Sequence, residues 1–170
     1  ELQKIYNLCK KNKIQLFINY NRLYDQNYPF LKNYIKKLKK FKGVAHYSRG
    51  LKNNCSHILS ILSGLNLSKA SIRIIKNGIN PDFIIKFLNG EVFFINTPRK
   101  NISHNEIEIF DKNYKIKSKN ELNNFDIFKV KKDNLIKNNF KYKLCDKIIF
   151  NENYSQKNVL QKIIDPKNTK

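Results

Sequence analysis

Between residues 71 and 130 the sequence breaks into six strand-length segments separated by turn signals, which leaves little alternative to a sheet. The segments are S-I-R-I-I-K, D-F-I-I-K-F-L, E-V-F-F-I-N, E-I-E-I-F-D, Y-K-I-K-S and F-D-I-F-K-V, with N-G, L-N-G-E and D-K-N-Y among the intervening turns. Several alternate apolar and polar residues cleanly, as in Glu106 to Phe110. Short connections between successive strands predict a mainly antiparallel sheet with one packed face.

The residues before this run supply what covers that face. Leu2, Ile5, Leu8 and Cys9 recur at helical spacing, with lysines opposite. I-Q-L-F-I-N-Y then follows as a continuous apolar run of strand length. A helix followed so closely by a buried strand reads as the last unit of a parallel sheet, whose other strands would lie upstream of Glu1. Phe30, Leu31, Tyr34, Ile35 and Leu38 predict a helix over about residues 27–39, with Asp25 as its N-cap and a lysine-rich last turn. Gly43 breaks the pattern, V-A-H-Y-S predicts a short strand, and Ile58, Leu59, Ile61, Leu62 and Leu65 define a further helix ending at Gly64. Toward the end, K-I-I-F-N-E-N-Y suits a strand and S-Q-K-N-V-L-Q-K-I-I a helix capped by Ser155. The expected class is α+β, an open, mainly antiparallel sheet with helices packed on one face.

The 170 residues amount to about one domain. The absence of methionine and the start at Glu1 suggest a segment of a longer protein. No apolar run approaches the ~20 residues of a membrane span, and a cytoplasmic protein without membrane contact is expected. Cys9, Cys55 and Cys145 lack metal-ligand or disulfide-framework spacing, so free thiols and no metal are expected. A net charge of +21 invites a nucleic-acid partner. Only four of the 34 basic residues are arginine, however, and the lysines are scattered beside Asn and Ile, as A+T-rich codons produce. Codon bias is the better account of the charge, and a nucleic-acid partner is not expected.

One stretch, His46 to Gly64, concentrates polar chemistry. His57 stands at the entrance of an apolar helical pattern, after a loop containing Arg49, Lys52, Asn53, Asn54 and Ser56. A first-turn histidine faces the positive end of the helix dipole, which favours the neutral imidazole, able to accept a proton near neutral pH. The plainer alternative is a histidine that hydrogen-bonds its own loop. Asn21 and Arg22 follow the first apolar strand, where ligands bind in open α/β sheets.

Asn19-Tyr20-Asn21-Arg22-Leu23-Tyr24-Asp25 resembles the G-x-N-R-R-F-x-P segment of the Gfo/Idh/MocA family of NAD(P)-dependent oxidoreductases. Asn53-Asn54-Cys55-Ser56-His57-Ile58-Leu59 resembles the family's D-x-G-S-H-x-I-D helix start, and Glu106 to Lys117 its x-E-I-x-G-x-x-G-x-I sheet segment. The resemblance implies that residues 1–24 are the last helix and strand of a Rossmann domain. Residues 25–170 would then be the α+β substrate and oligomerisation domain. It implies hydride transfer between NAD or NADP and a sugar or nucleotide sugar, and a homo-oligomer assembled through the open sheet. His57 would transfer the hydroxyl proton with Asn53 beside it, Asn21 and Arg22 would lie near the nicotinamide, and Arg49, Lys52 and Asn54 near the substrate. Asn53 replaces the family's aspartate and Ser60 stands where another often follows the histidine. The family's G-x-G-x-x-G and E-K-P segments do not occur in these residues, so the cofactor site would be incomplete within them.

Overall fold

The computed structural model describes residues 2–14, 20–65, 69–97, 103–133, 136 and 139–164. The amphipathic helix α1 spans Leu2–Lys11, and the predicted strand over residues 14–20 lies, apart from its two ends, outside the described residues. A 3-10 turn at Asn21–Tyr24 leads into α2, Tyr28–Lys37. Pro29 sits in the first turn of α2, where its missing N–H has no helical acceptor to lose.

Strand β1, Phe41–Tyr47, is followed by a continuous helical run: a π-turn at Leu51–Cys55, α3 at Ser56–Ile61 and a 3-10 turn at Leu62–Gly64. The strands β2 (Ser71–Lys76), β3 (Asp82–Phe87), β4 (Gly90–Asn96), β5 (Glu106–Phe110), β6 (Tyr114–Lys119), β7 (Asn124–Lys132) and β8 (Phe140–Ile149) come next, and α4 spans Glu152–Ile164. The sheet order is β2-β3-β4-β1-β5-β6-β7-β8. Every neighbouring pair is antiparallel except β1 with β4. Two meanders therefore meet on the strand that precedes both in sequence.

The alternation of β1 sets the two faces. Phe41, Ala45 and Tyr47 are buried, whereas Lys42, Val44 and His46 are not. The buried set continues through Val92 and Phe94 on β4, Ile107 and Ile109 on β5, Ile116 on β6 and Ile127 on β7. Leu31, Ile35 and Leu38 from α2 and its end, with Ile58, Ile61 and Leu62 from α3 and its last turn, belong to the same core. The opposite face of the sheet is open. The expected α+β layer is thus the observed one. Among the described residues no helix is long and apolar enough to cross a membrane.

Several local expectations need correction. Gly43 does not precede β1 but lies within it, because a Cβ there would stand 2.9 Å from the Glu108 carbonyl oxygen of β5. Phe30 is 61 % exposed, since the buried stripe of α2 runs through Tyr28, Leu31 and Ile35. Ser155 is not the cap of α4, which begins at Glu152. Its hydroxyl instead donates to Asp25 Oδ2 at 2.9 Å. That oxygen also accepts from Asn151 N at 2.7 Å, while Asp25 Oδ1 accepts from Asn27 N at 2.8 Å. One buried carboxylate thereby joins the entrances of α2 and α4.

Gly90 shows how tightly β1 and β4 approach, for a Cβ there would lie 2.4 Å from the Phe41 carbonyl oxygen. Gly90→Ala should lower stability by about 2–3 kcal/mol, the scale of overpacking in a filled core. Gly64→Ala should have a much smaller effect, because its added Cβ meets only the Lys32 side chain at 3.2 Å within the tight range. Denaturant melts of the two variants measure the contrast.

Candidate functional site

His57 is one and a half turns into a helical run that starts at Leu51, because the segment expected to be a loop forms a π-turn. The N-terminal end of the dipole therefore falls at Leu51 to Asn53, and its pull on His57 is weaker than first-turn placement would give. The imidazole is nonetheless held below its ordinary pKa of 6.5, by burial first and then by the positive charge of Arg22. Its Nδ1 is buried without a hydrogen-bond partner among the described residues. Protonation would place a second N–H on a ring whose buried nitrogen has no acceptor, which adds to the preference for the neutral form. The Tyr20 ring meets His57 edge-on, with centroids 5.9 Å apart and planes at 85°.

Ser60 donates to the His57 carbonyl at 2.7 Å, a local helix bond that takes its hydroxyl away from the imidazole. Asn53, one turn before the histidine, makes no hydrogen bond to it. Its Nδ2 donates to the Arg49 carbonyl at 3.2 Å, and the residue is exposed. Asn54 Nδ2 donates to Ser48 Oγ at 3.3 Å, and that same buried oxygen accepts the backbone N–H of His104 at 2.9 Å. Arg49 and Lys52 are exposed, and Arg49 takes a left-handed φ of 56° just before Gly50 at 93°. These two turn the chain from β1 into the π-turn. A side chain at Gly50 would crowd Asn80 Oδ1 at 2.9 Å.

Arg22 lies in the 3-10 turn near His57, and most of its guanidinium is committed within the chain. Nε and Nη2 donate to Asn123 Oδ1 at 3.2 and 3.0 Å, and Nη2 also donates to the Glu121 carbonyl at 2.9 Å. Glu152 Oε1 stands 4.0 Å from Nη2. Desolvation lowers the Arg22 pKa, while Glu152 and Glu121 oppose the shift. Its acceptors sit on a turn with three successive left-handed residues, Asn120, Glu121 and Leu122 at φ 49°, 54° and 71°. Such backbone costs about 1–2 kcal/mol per non-glycine residue, and buried Leu122 together with the Arg22 bonds holds it in place. Asn21 accepts the Arg22 backbone N–H through Oδ1 at 3.0 Å.

The structure therefore gathers His57, Tyr20 and Arg22, leaves Arg49 and Lys52 in solvent, and turns Asn53 away. Sequence reasoning missed Tyr20 as a neighbour of the histidine, although it lies inside the N-Y-N-R segment. It also missed the Asn123 and Glu121 partners, about a hundred positions from Arg22, which no local pattern announces. No group of three or more possible metal ligands occurs among the described residues. A cavity of about 340 Å³ lies on the open face of the sheet, away from His57, with His46, His104, Glu106 and Lys117 in its lining. The rings of His46 and His104 stack there, 4.9 Å apart.

The fold is similar to part of several solved dehydrogenases and oxidoreductases. A UDP-N-acetylglucosamine 3-dehydrogenase from Acidithiobacillus ferrooxidans is similar to 97% of this chain over 58% of its own, with TM-score 0.62 and 9% identity. A dehydrogenase from Clostridium difficile is similar over 82% of this chain and 49% of its own, with TM-score 0.51 and 16% identity. A protein from Desulfitobacterium hafniense assigned as an NADPH-dependent oxidoreductase gives a TM-score of 0.62 at 9% identity, covering 96% of this chain and 59% of its own. The chain spans about half to three-fifths of the length of these proteins. By sequence it matches no family model and no curated protein.

The depressed imidazole pKa of His57 fixes a sign for stability against pH. Below pH 6.5 the unfolded chain takes up a proton that folded His57 refuses, so the folded state loses stability as pH falls from 6.5 through the lower folded value. His57→Gln should flatten the fall in thermal midpoint between pH 7.5 and pH 5, compared in matched buffers. An unchanged slope would show that His57 protonates as freely as in the unfolded chain.

Proposed function

We propose that this chain is the substrate-binding part of an oxidoreductase that moves hydride between NAD or NADP and a hydroxyl or carbonyl of a sugar or nucleotide sugar. In this reading residues 1–24 complete a Rossmann domain, and residues 25–170 form the substrate and oligomerisation domain. The observation that carries it is His57, half-buried, kept neutral and flanked by Tyr20 and Arg22, in a fold shared with dehydrogenases. The nucleotide-sugar class is suggested by the Acidithiobacillus protein, which acts on UDP-N-acetylglucosamine.

The nicotinamide, when bound, accepts or supplies hydride. The chain's own task is the accompanying proton, which His57 takes from the substrate hydroxyl in oxidation and returns in reduction. A neutral imidazole is the form that begins the oxidation. Arg22 favours that form and, for the same reason, opposes the imidazolium that follows. No carboxylate at position 53 offsets this, so proton release to solvent is expected to accompany turnover. Asn21 Nδ2 and Arg22 Nη1 take no part in the hydrogen bonds described above, and these are the groups that would hold the cofactor's nicotinamide end. Arg49, Lys52 and Asn54 would face the substrate, the two cations suiting a diphosphate. The open sheet face, with Phe110 exposed on it, would carry a homo-oligomer contact.

A second reading, a noncatalytic binding or oligomerisation module of the same fold, is favoured by Asn53, which stands in place of an acid and turns to the Arg49 carbonyl. Nicotinamide absorbance in the full-length protein separates the two, with UDP-sugars and free sugars offered alongside NAD and NADP. The enzyme reading expects turnover that His57→Ala lowers by about 10²–10⁴-fold in kcat, the usual worth of a positioned acid or base. Sugar-dependent turnover that survives His57→Ala intact would remove His57 from the chemistry. No turnover with any pair would favour the binding module.

A further inference from the structure

The β7–β8 hairpin carries a charge arrangement that the fold itself leaves only partly compensated. Lys129 stands directly opposite Lys143, and Lys131 directly opposite Lys141. The register places all four on the helix side of the sheet. Ile127, two residues before Lys129, is buried in the core, and Tyr114, paired with Lys129, packs against Tyr34 of α2 with ring centroids 6.0 Å apart. Like charges directly across a strand pair are destabilising, and here two such pairs follow one another. Among the described residues only Lys141 of the four has a carboxylate partner, Asp133 at 3.2 Å.

Nearby acids among the described residues make no ion pair with Lys129, Lys131 or Lys143. Asp111 accepts the backbone N–H groups of Lys39, Asn113 and Tyr114, and Asp146 accepts from the Tyr34 hydroxyl and the Lys147 backbone. The field also extends past the hairpin. Lys112, Lys129 and Lys132 are the charged residues lining a cavity of about 610 Å³, and Lys112 with Lys39 and Lys40 lines a neighbouring one of about 460 Å³. Lysines that look scattered in the sequence are thus brought together at this end of the hairpin, Lys129 on the helix side and Lys132 at the strand end where the cavity wraps round.

We propose that this face binds the phosphodiester backbone of a single-stranded nucleic acid. Lysines two apart along a strand repeat about every 6.7 Å. The Cβ atoms across the pair stand roughly 5 Å apart, so the lysines leave the sheet in two parallel rows, which suit a linear polyanion better than one compact anion. Tyr142 opposite Val130 and Leu144 opposite Phe128 lie on the other face, and Phe140 is the exposed apolar side chain that lines the lysine cavity. Recognition by lysine without arginine implies phosphate contact without base selection. The face is separate from the His57 site, and the inference stands whether or not that site is catalytic.

Fluorescence anisotropy with a labelled oligothymidylate of about twenty nucleotides tests this, since phosphate contacts from Lys129, Lys131 and Lys143 give a slope of log K against log salt near about −2.1. Lys129→Ser, Lys131→Ser and Lys143→Ser together should weaken binding at least tenfold at low salt and reduce the slope by about 2. The charge-matched Lys4→Ser, Lys10→Ser and Lys11→Ser chain, altered on α1, should bind as the parent does. The thermal midpoint of the hairpin variant should be equal to or above that of the parent, because repulsion has been removed. Should the triple variant misfold, Lys131→Ser alone should still lower the slope by about 0.7. Equal weakening by the hairpin and α1 variants, no binding at low salt, or binding to phosphatidylserine vesicles but not to the oligonucleotide would each overturn the proposal.

Discussion

Strand β1 is the constraint on which the architecture turns. It is hydrogen-bonded on one side to β4 in parallel and on the other to β5 antiparallel, and without it the β2–β4 and β5–β8 meanders would be two separate sheets. Its neighbours come close because glycines allow it: Gly43 faces the β5 backbone and Gly90 faces Phe41. The alternation along β1 also decides which face the helices cover. Its buried residues Phe41, Ala45 and Tyr47 lie in the same core as Ile35 of α2 and Ile58 of α3, and that packing gives α3, with His57 on it, a fixed position against the sheet.

A second layer of constraint holds the segment that approaches His57. Arg22 is clamped by the Asn120–Asn123 turn and neighboured by Glu152, while Asp25, three residues on, ties the starts of α2 and α4 together. Polar groups this enclosed are tolerated only when their partners are in place, and here those partners, Asn27 apart, are 99 to 130 positions further along the chain. The same clamp keeps a positive charge near the imidazole. The electrostatic setting of His57 is therefore decided by burial first and by this long-range clamp on Arg22 second.

The fold class was legible because period-2 alternation and turn signals are local: Glu106 to Phe110 and the D-K-N-Y turn announce β5, its turn and β6 without reference to anything distant. The amphipathic stripe of α2 was equally plain, save for Phe30 at its margin. What could not be read was the parallel pairing of β1 with β4, which depends on how two meanders meet. Nor was the π-turn at Leu51–Cys55, which moved His57 inward from the expected helix start. The candidate site was legible in part. His57 and Arg22 could be named from their motifs, but that Arg22 spends its guanidinium on Asn123 and that Asn53 faces Arg49 are outcomes of side-chain competition that the sequence does not display. The concentration of lysines on the hairpin was hidden for a related reason, since cross-strand neighbours are far apart in the chain.

The Asp25 bridge has a consequence for the order in which the molecule can be completed. One of its oxygens, Oδ2, serves groups 126 and 130 positions away, on Asn151 and Ser155. During synthesis α2 and the early strands emerge long before those donors exist, and until then the carboxylate must stay hydrated. The entrance of α2 thus cannot seal while the chain is unfinished. Contacts of such sequence separation are the slow ones to form. The final docking of α4 is therefore the step that closes this corner to water, turning a solvated acid into an internal fastening.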